Sequence, residues 1–525
     1  MCQKLLLSME ELFSYSPITL EKVGSVEITN PKDIPEIISQ SGVVQTEWAK
    51  TASKERYSLI KNLRLTVMEN AERICKIIHD ETGKTRSDCN STEITNTLGM
   101  IKFCESWIKD FKFEKRVEQG PMTLLMVILK RKSYIEYQPF GVIGVISPYN
   151  FPFSIPFNEV IMAVTAGNSV ILKTSPDTPL CGKLIADLFE EAGFPKGLVT
   201  SVNGPEIGQT IVASDVDKIV FTGSTETGIS IMRNSADSVT PVILELGGKD
   251  AMLVLDDADI DRAVDGAIWG AFVNAGQVCV GVKRIYVQSK IYETFLEKFV
   301  AGTNLLKQGD GWDDPTVSIG PMINEKALNK MVDVVARASE QGATVATGGR
   351  RNPDLEGYFF EPTVIINLAH ESDINANEIF GPIVTIFPFE TVDDGVRLAN
   401  DNGFALGGSV WTRDLKKGRA IASKLKSGSV DVNNTTYTFG LPAAPWGGSG
   451  KSGFGITHSE AGFYELMHPH HVHVDSGKRE RDIWWMPCSE LGNDVITRFN
   501  RAYFGKDHFS ISLIRDVFKL LKRER

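Results

Sequence analysis

The stretch Gly141-Val142-Ile143-Gly144-Val145-Ile146, continued by Ser147-Pro148-Tyr149-Asn150-Phe151-Pro152-Phe153, reads as a short buried strand that runs into a proline-flanked loop. An uninterrupted run of β-branched residues is what a strand covered on both faces requires. The pattern then repeats. Helices over 157–166, 180–192 and 206–213 alternate with strands over 169–172, 198–202 and 218–221. Short apolar strands separated by helices predict a parallel sheet with helices on its faces. Such sheets take ligands at the carboxyl ends of their strands.

A second alternating series starts near Lys249, with strands over 251–255, 284–287, 364–366, 383–388 and 408–411. Helices over 259–272, 291–306, 327–341 and 391–400 lie between them. Upstream of 141, residues 122–129 and 131–138 read as two strands around a basic turn, which suits a subunit interface as well as an internal sheet. Further back, Tyr57, Ile60, Leu63, Val67 and Ala71 recur at helical steps, so 35–82 is expected to be a pair of amphipathic helices, with another over 92–112. Residues 445–455 form a glycine-rich loop. The last stretch differs: 478–525 holds 11 Lys/Arg against 7 Asp/Glu, and Leu513, Ile514, Val517, Phe518 and Leu521 share one helical face. This tail reads as packing on its own body or a neighbour, with contact to a membrane surface as the alternative.

With 525 residues the chain has room for two to four domains at roughly 100–200 residues each. The net charge of −10 argues against nucleic-acid binding. Seven scattered cysteines without a CxxC pair indicate free thiols in a reducing, cytoplasmic setting. No window is apolar for long enough to span a membrane, and Leu5-Leu6-Leu7 is too short for a signal peptide. His468, His470, His471 and His473 alternate with Val472 and Val474 as a strand would. No metal is assigned to them.

Two residues suggest covalent chemistry. Cys279 lies in Asn-Ala-Gly-Gln-Val-Cys-Val (274–280), a short uncharged segment. A thiol there is an inert small hydrophobe unless its pKa is lowered, in which case it is a nucleophile. Glu245 lies between Leu244 and Leu246. A carboxylate in apolar sequence is either paired, for instance with Lys249, or pushed toward the range of a general base. Asn150 is a turn residue or a fixed oxyanion donor. Residues 221–228, Phe-Thr-Gly-Ser-Thr-Glu-Thr-Gly, open a helix and fit either an ordinary N-cap or a phosphate. Lys173, after a strand, is a surface lysine or a donor to a ribose or phosphate.

Read together, Pro-Tyr-Asn-Phe-Pro (148–152), Leu-Lys-Thr-Ser-Pro (172–176), residues 221–228, Leu-Glu-Leu-Gly-Gly-Lys (244–249), Gly-Gln-Val-Cys (276–279), Asn-Glu-Ile-Phe-Gly-Pro (377–382) and Pro-Trp-Gly-Gly (445–448) resemble the NAD(P)-dependent aldehyde dehydrogenases. The resemblance spans about residues 20–475. It implies two open α/β domains plus a small β oligomerisation element. The cofactor domain would be 1–116 with 139–246, the catalytic domain 247–446, and the oligomerisation element 117–138 with 447–475. Residues 476–525 would be a basic amphipathic extension.

The resemblance also implies roles. Cys279 would attack the aldehyde, Asn150 and the Cys279 N–H would hold the oxyanion, and hydride transfer would leave a thioester. Glu245 would activate the hydrolytic water. Glu378 would hold the nicotinamide ribose, with Phe380 against the cofactor. Gly223 and Ser224 would approach the pyrophosphate, and Lys173 the adenosine ribose. Ile146, Tyr149, Ser175 and Leu246 would complete the cofactor site. NAD is favoured, but Pro176 stands where many relatives carry a glutamate, so NADP remains open. A homodimer or dimer of dimers is implied. Apolar residues Phe151, Ile155, Val278 and Val280 favour aliphatic or aromatic aldehydes. Alternatives are a semialdehyde, a CoA-acylating enzyme, against which Glu245 speaks, or a non-catalytic protein on this fold, against which both Cys279 and Glu245 speak.

Overall fold

The computed structural model of the chain describes residues 10–117, 130–478, 482 and 484–521. Two compact units are present: 1–111 with 139–468, and 112–138 with 469–525. The first strand expected over 122–129 lies outside the described residues.

The first unit is built on two sheets. In one, Val142–Ile146 is central, paired in parallel with Ser169–Lys173 on one side and Lys218–Thr222 on the other. Val199–Ser201 and Val242–Glu245 continue it outward, again in parallel. All five residues of Val142–Ile146 are buried. The helix Ser154–Ala166 is buried along its whole length, which explains why its sequence is apolar all round. Register matters most here. Ile146 pairs with Lys173 and Phe221, and Thr222 pairs with Glu245, so four strands end along one line. The loops that leave that line carry Tyr149, Ser175, Gly223 and Leu246.

The other sheet has seven strands in the order Thr344–Thr347, Thr363–Ile366, Ile383–Phe389, Val282–Gln288, Asp250–Val254, Gly408–Trp411 and Asp431–Val432. Only the first pair is antiparallel. Several of its helices begin at side-chain caps, such as Asp259 on Ile260–Phe272 and the Thr391/Asp394 capping box on Val392–Asn400. The α/β architecture with parallel sheets is the one expected.

Three details differ from the sequence reading. Residues 34–82 form three helices, Ile34–Trp48, Ser53–Glu69 and Ala71–Thr82, because Asn70 leaves helical geometry (φ −97°, ψ 7°) and ends one helix as it starts the next. Residues 447–468 lie in the first unit, not with the oligomerisation element. Gly453–Phe454 pairs antiparallel with Leu244 and Glu245. Glycine permits this approach, since a Cβ at Gly453 (φ +98°) would stand 1.9 Å from the Leu244 carbonyl oxygen.

The third concerns the tail, which contains two helices, Glu490–Phe504 and Ile511–Leu520, where one was expected. They belong to the second unit with a three-stranded sheet of Glu114–Arg116, Arg131–Pro139 and Met467–Asp475. Arg498 donates to Asp516 across the helix pair at 2.9 Å. The expected apolar face is only partly covered: Leu513 and Leu521 are buried while Ile514 and Phe518 are exposed. The four histidines are exposed on the last strand, and no group of three or more metal-ligating side chains occurs among the described residues. No described helix is long and apolar enough to cross a membrane.

Candidate active site

Cys279 follows the 3-10 turn Val273–Gly276, in which Asn274 and Ala275 both have φ +53° and Gly276 φ +67°. Left-handed geometry at two non-glycine residues costs on the order of 1–3 kcal/mol each and persists only where the surroundings enforce it. They do so here. The Asn274 amide donates to Asn150 O at 2.9 Å and Gln277 O at 3.2 Å. Gln277 donates to Pro321 O and accepts from Ile323 N–H. The buried Lys283 ammonium donates to Gly276 O and Gly381 O, both at 2.7 Å, so one side chain ties the cysteine turn to the loop that carries Glu378 and Phe380. Burial pushes the Lys283 pKa down to about 7. Gly276 is obligatory, since a Cβ would meet Gly381 O at 2.2 Å.

Asn150 is fixed to the same turn. Its amide nitrogen donates to Gln277 O at 3.1 Å, which leaves its second N–H for a ligand. Its carbonyl accepts from Lys84, whose ammonium pairs with Glu93 in full burial, and Glu93 also accepts from Ser154 N–H at 2.7 Å. The buried pair therefore locks the Asn150 loop to the start of the helix behind it.

Glu245 has different surroundings. Lys249, four residues on, does not pair with it but donates to Ile374 O. Glu245 lines a cavity of about 20 Å³ together with Cys279, Glu159, Asn158, Trp446 and His458. Burial raises its pKa well above the carboxylate range, and the neighbouring Glu159 adds to this, while the Trp446 side chain bonds the carboxyl. Its Oε1 has no hydrogen-bond partner among the described residues. Cys279 is also pushed up, first by burial and then by Asp250, Glu245 and Glu378. A lowered thiol pKa, the condition for a nucleophile, is thus not met in the free protein, because burial disfavours the thiolate and carboxyls rather than cations face the sulfur.

Two further clefts adjoin each other at Pro148, Tyr149 and residues 222–224. One of about 370 Å³ is lined by Ile146, Tyr149, Lys173, Ser175, Pro176, Gly223 and Ser224, with no carboxylate in its walls. Lys173 is buried, which lowers its pKa, and its side chain makes no hydrogen bond or salt bridge among the described residues. Ser224 caps the helix Thr225–Ser235, whose N-terminus opens on this cleft. The other, of about 240 Å³, runs past Tyr149, Asn150, Leu246, Glu378 and Phe380 to Cys279. Glu378 accepts from Gly248 N–H at 3.0 Å, and Tyr149 meets Phe380 edge to face at 6.0 Å. Phe151, Ile155, Val278, Val280, Leu406 and Trp446 form an apolar wall against Cys279.

All twelve residues singled out from the sequence thus lie along one continuous line of clefts. Sequence reasoning missed Lys84, Glu93, Glu159, Lys283 and His458. Two of these carried a signal. Glu159 is the one charged residue in the apolar helix Ser154–Ala166, and Lys283 interrupts a buried strand.

The aldehyde dehydrogenase family model matches residues 8–472. A protein of Mycobacterium tuberculosis (strain H37Rv) named succinate-semialdehyde dehydrogenase [NADP(+)] 2 is 35% identical over 87% of this chain and 86% of its own length. A 4,4'-diapolycopene aldehyde oxidase of Methylomonas sp is 31% identical over 95% of this chain and 92% of its own. Betaine aldehyde dehydrogenase of Staphylococcus aureus in complex with NAD+ superposes with TM-score 0.85 at 30% identity, covering 91% of this chain and 94% of that one.

Proposed function

The chain belongs to the aldehyde dehydrogenase family, and on that premise we propose that it oxidises an apolar aldehyde to the carboxylic acid with NAD+ or NADP+, through a thioester on Cys279. The observation that carries this is that Cys279 is shared by the small cavity of Glu245 and the cleft of Asn150 and Glu378, against an apolar wall.

The clefts fit a dinucleotide: a buried, unpaired lysine, a capped helix N-terminus and an ordered carboxylate at Glu378 lie in line along them. Lys173 and Ser175 would hold the adenosine ribose, Gly223 and Ser224 the pyrophosphate, and Glu378 with Phe380 the nicotinamide end. A nicotinamide cofactor bound there would supply the hydride acceptor and a positive charge. Around it, the turn 274–279 aims the sulfur, which attacks as thiolate after giving its proton to solvent in the cleft and leaves again as thiolate on deacylation. The free N–H of Asn150 and the Cys279 N–H receive the oxyanion. Glu245, held ready to take a proton by its raised pKa, then draws one from the water that attacks the thioester. Pro176 puts no carboxylate in the cleft wall, so the like charge nearest the ribose end is Asp177, which accepts from Ser175 and faces Lys173. The sheet of Arg131–Pro139 and Met467–Asp475 is our candidate for the subunit contact.

A second reading, a semialdehyde as substrate, is favoured by the names of the mycobacterial relatives. The small cavity shared by Cys279 and Glu245 argues against it, since Glu159 and Glu245 are its acidic residues and it has no Lys or Arg; Lys330 lines the other cleft, beside Glu378. A panel of alkanals, aromatic aldehydes, terpenoid aldehydes and succinate semialdehyde, run with both cofactors, tests the assignment. The apolar members should have the highest kcat/KM. A maximum at succinate semialdehyde would overturn the substrate class, and no reduced nicotinamide from any member would overturn the function.

A further inference from the structure

Glu159 has no part in the roles given so far, yet it shares the small cavity with Glu245. Its carboxylate accepts from Thr222 Oγ1 at 2.6 Å and from Ser147 Oγ at 3.1 Å. Both hydroxyls also line the open cofactor cleft. On the other side, the cavity of about 20 Å³ between Glu159, Glu245 and Cys279 has room for one water. Three of its lining residues turn a buried polar atom without a hydrogen-bond partner among the described residues: Glu245 Oε1, Asn158 Oδ1 and His458 Nε2. A line of proton-bearing groups therefore leads from the Cys279 pocket to the cleft.

Charge supports the same line. The titratable groups facing Glu159 are Glu245, Cys279 and His458, with no cation among them. Burial holds His458 neutral, its pKa pushed down to about 3. Two carboxyls in such a space cannot both ionise easily. Burial pushes Glu159 up to about 7, against the pull of Thr222 and Ser147. The two carboxyls therefore compete for protons within one cavity.

We propose that Glu159 is the proton outlet of deacylation, accepting from Glu245 the proton drawn from the attacking water and passing it through Thr222 and Ser147 to the cofactor cleft. The step balances. A water O–H bond breaks, its oxygen bonds to the thioester carbon, the C–S bond breaks, and the Cys279 sulfur leaves as thiolate. The proton moves from water to Glu245, then to Glu159, then out. Glu159 acts through Glu245 and touches neither substrate nor cofactor. The inference rests on Glu245 being the deacylating base.

The full-length protein can be acylated at Cys279 with an activated aryl ester, and decay of the acyl-enzyme followed by intact mass across pH. Glu159→Gln keeps a partner for both hydroxyls, so acylation should be unchanged while decay slows about 10- to 100-fold. With the like charge gone, the rising limb of decay against pH should move to lower pH. Glu159→Asp should recover part of the rate. Glu245→Gln is run beside them: if its acyl-enzyme decays as in wild type, the base reading itself fails. If Glu245→Gln slows decay while Glu159→Gln leaves rate and pH limb unmoved, the proton outlet alone is overturned. Loss of acylation in Glu159→Gln, at wild-type melting temperature, likewise overturns it.

Discussion

The two sides of the candidate site are built on opposite plans. Around Cys279 and Asn150 the scaffold is tied down: the Asn150 and Asn274 amides, two buried ammonium groups and a carboxylate hold the turn 274–279 and the 147–153 loop in place. Around Glu245, acids crowd together and polar atoms lack partners. The first plan gives position. It holds left-handed backbone that no isolated peptide would keep. The second gives reactivity, because carboxyls with raised pKa exchange protons near neutral pH. The difference teaches that a nucleophile and a base need opposite surroundings within one pocket. It also separates the consequences expected of mutation.

The largest effect is expected at Cys279. Cys279→Ala should lower turnover by at least about four orders of magnitude with folding intact, since it removes the reacting atom from a scaffold that does not depend on it. On the positioning side, Asn150→Ala should cost about 10²- to 10³-fold in kcat, the usual cost of one oxyanion donor. Lys84→Met reaches the same loop through stability. It leaves Glu93 charged and buried, which should cost about 3–5 kcal/mol and lower the melting temperature together with kcat. A Lys84→Met protein with unchanged melting temperature would show that the pair does not lock the loop.

The acid side should respond to pH instead. The folded pKa of Glu159, about 7, lies above the ordinary 4.5, so the folded state holds a proton that the unfolded state releases between these values. Its contribution to stability is therefore fully present below about pH 4.5 and lost as pH rises to about 7, a loss of order 3 kcal/mol. The melting-temperature difference between Glu159→Gln and wild type should accordingly grow in favour of the variant over that window. Smallest of all, Pro176→Glu should weaken NADP+ relative to NAD+ by about tenfold, through one like charge at the cleft rim. Equal loss of both cofactors would place the ribose elsewhere.

Much of this was legible in the sequence, for a local reason. Asn150, Lys173, Gly223 and Glu245 each follow an apolar strand, and parallel strands of matched register bring such ends to one line. Cys279 was legible from its uncharged, glycine-bearing turn. What escaped depends on pairing across long separations. Lys84 stands 66 residues from the carbonyl it holds, and Lys283 98 residues from Gly381. Neither partner is written near its residue. The sense of the thiol shift also escaped, because it is set first by burial and then by Asp250, Glu245 and Glu378, which converge only in the fold. The tail was read as one helix since its second, Glu490–Phe504, carries a mixed pattern without a clean apolar run.

The most direct test of the account is the first turnover of Glu245→Gln, mixed with an alkanal and saturating cofactor in a stopped-flow instrument. The account expects a burst of about one reduced nicotinamide per active site, then a steady rate about 10²- to 10⁴-fold below wild type, as the thioester waits for its base. No burst, or a steady rate equal to wild type, would contradict it.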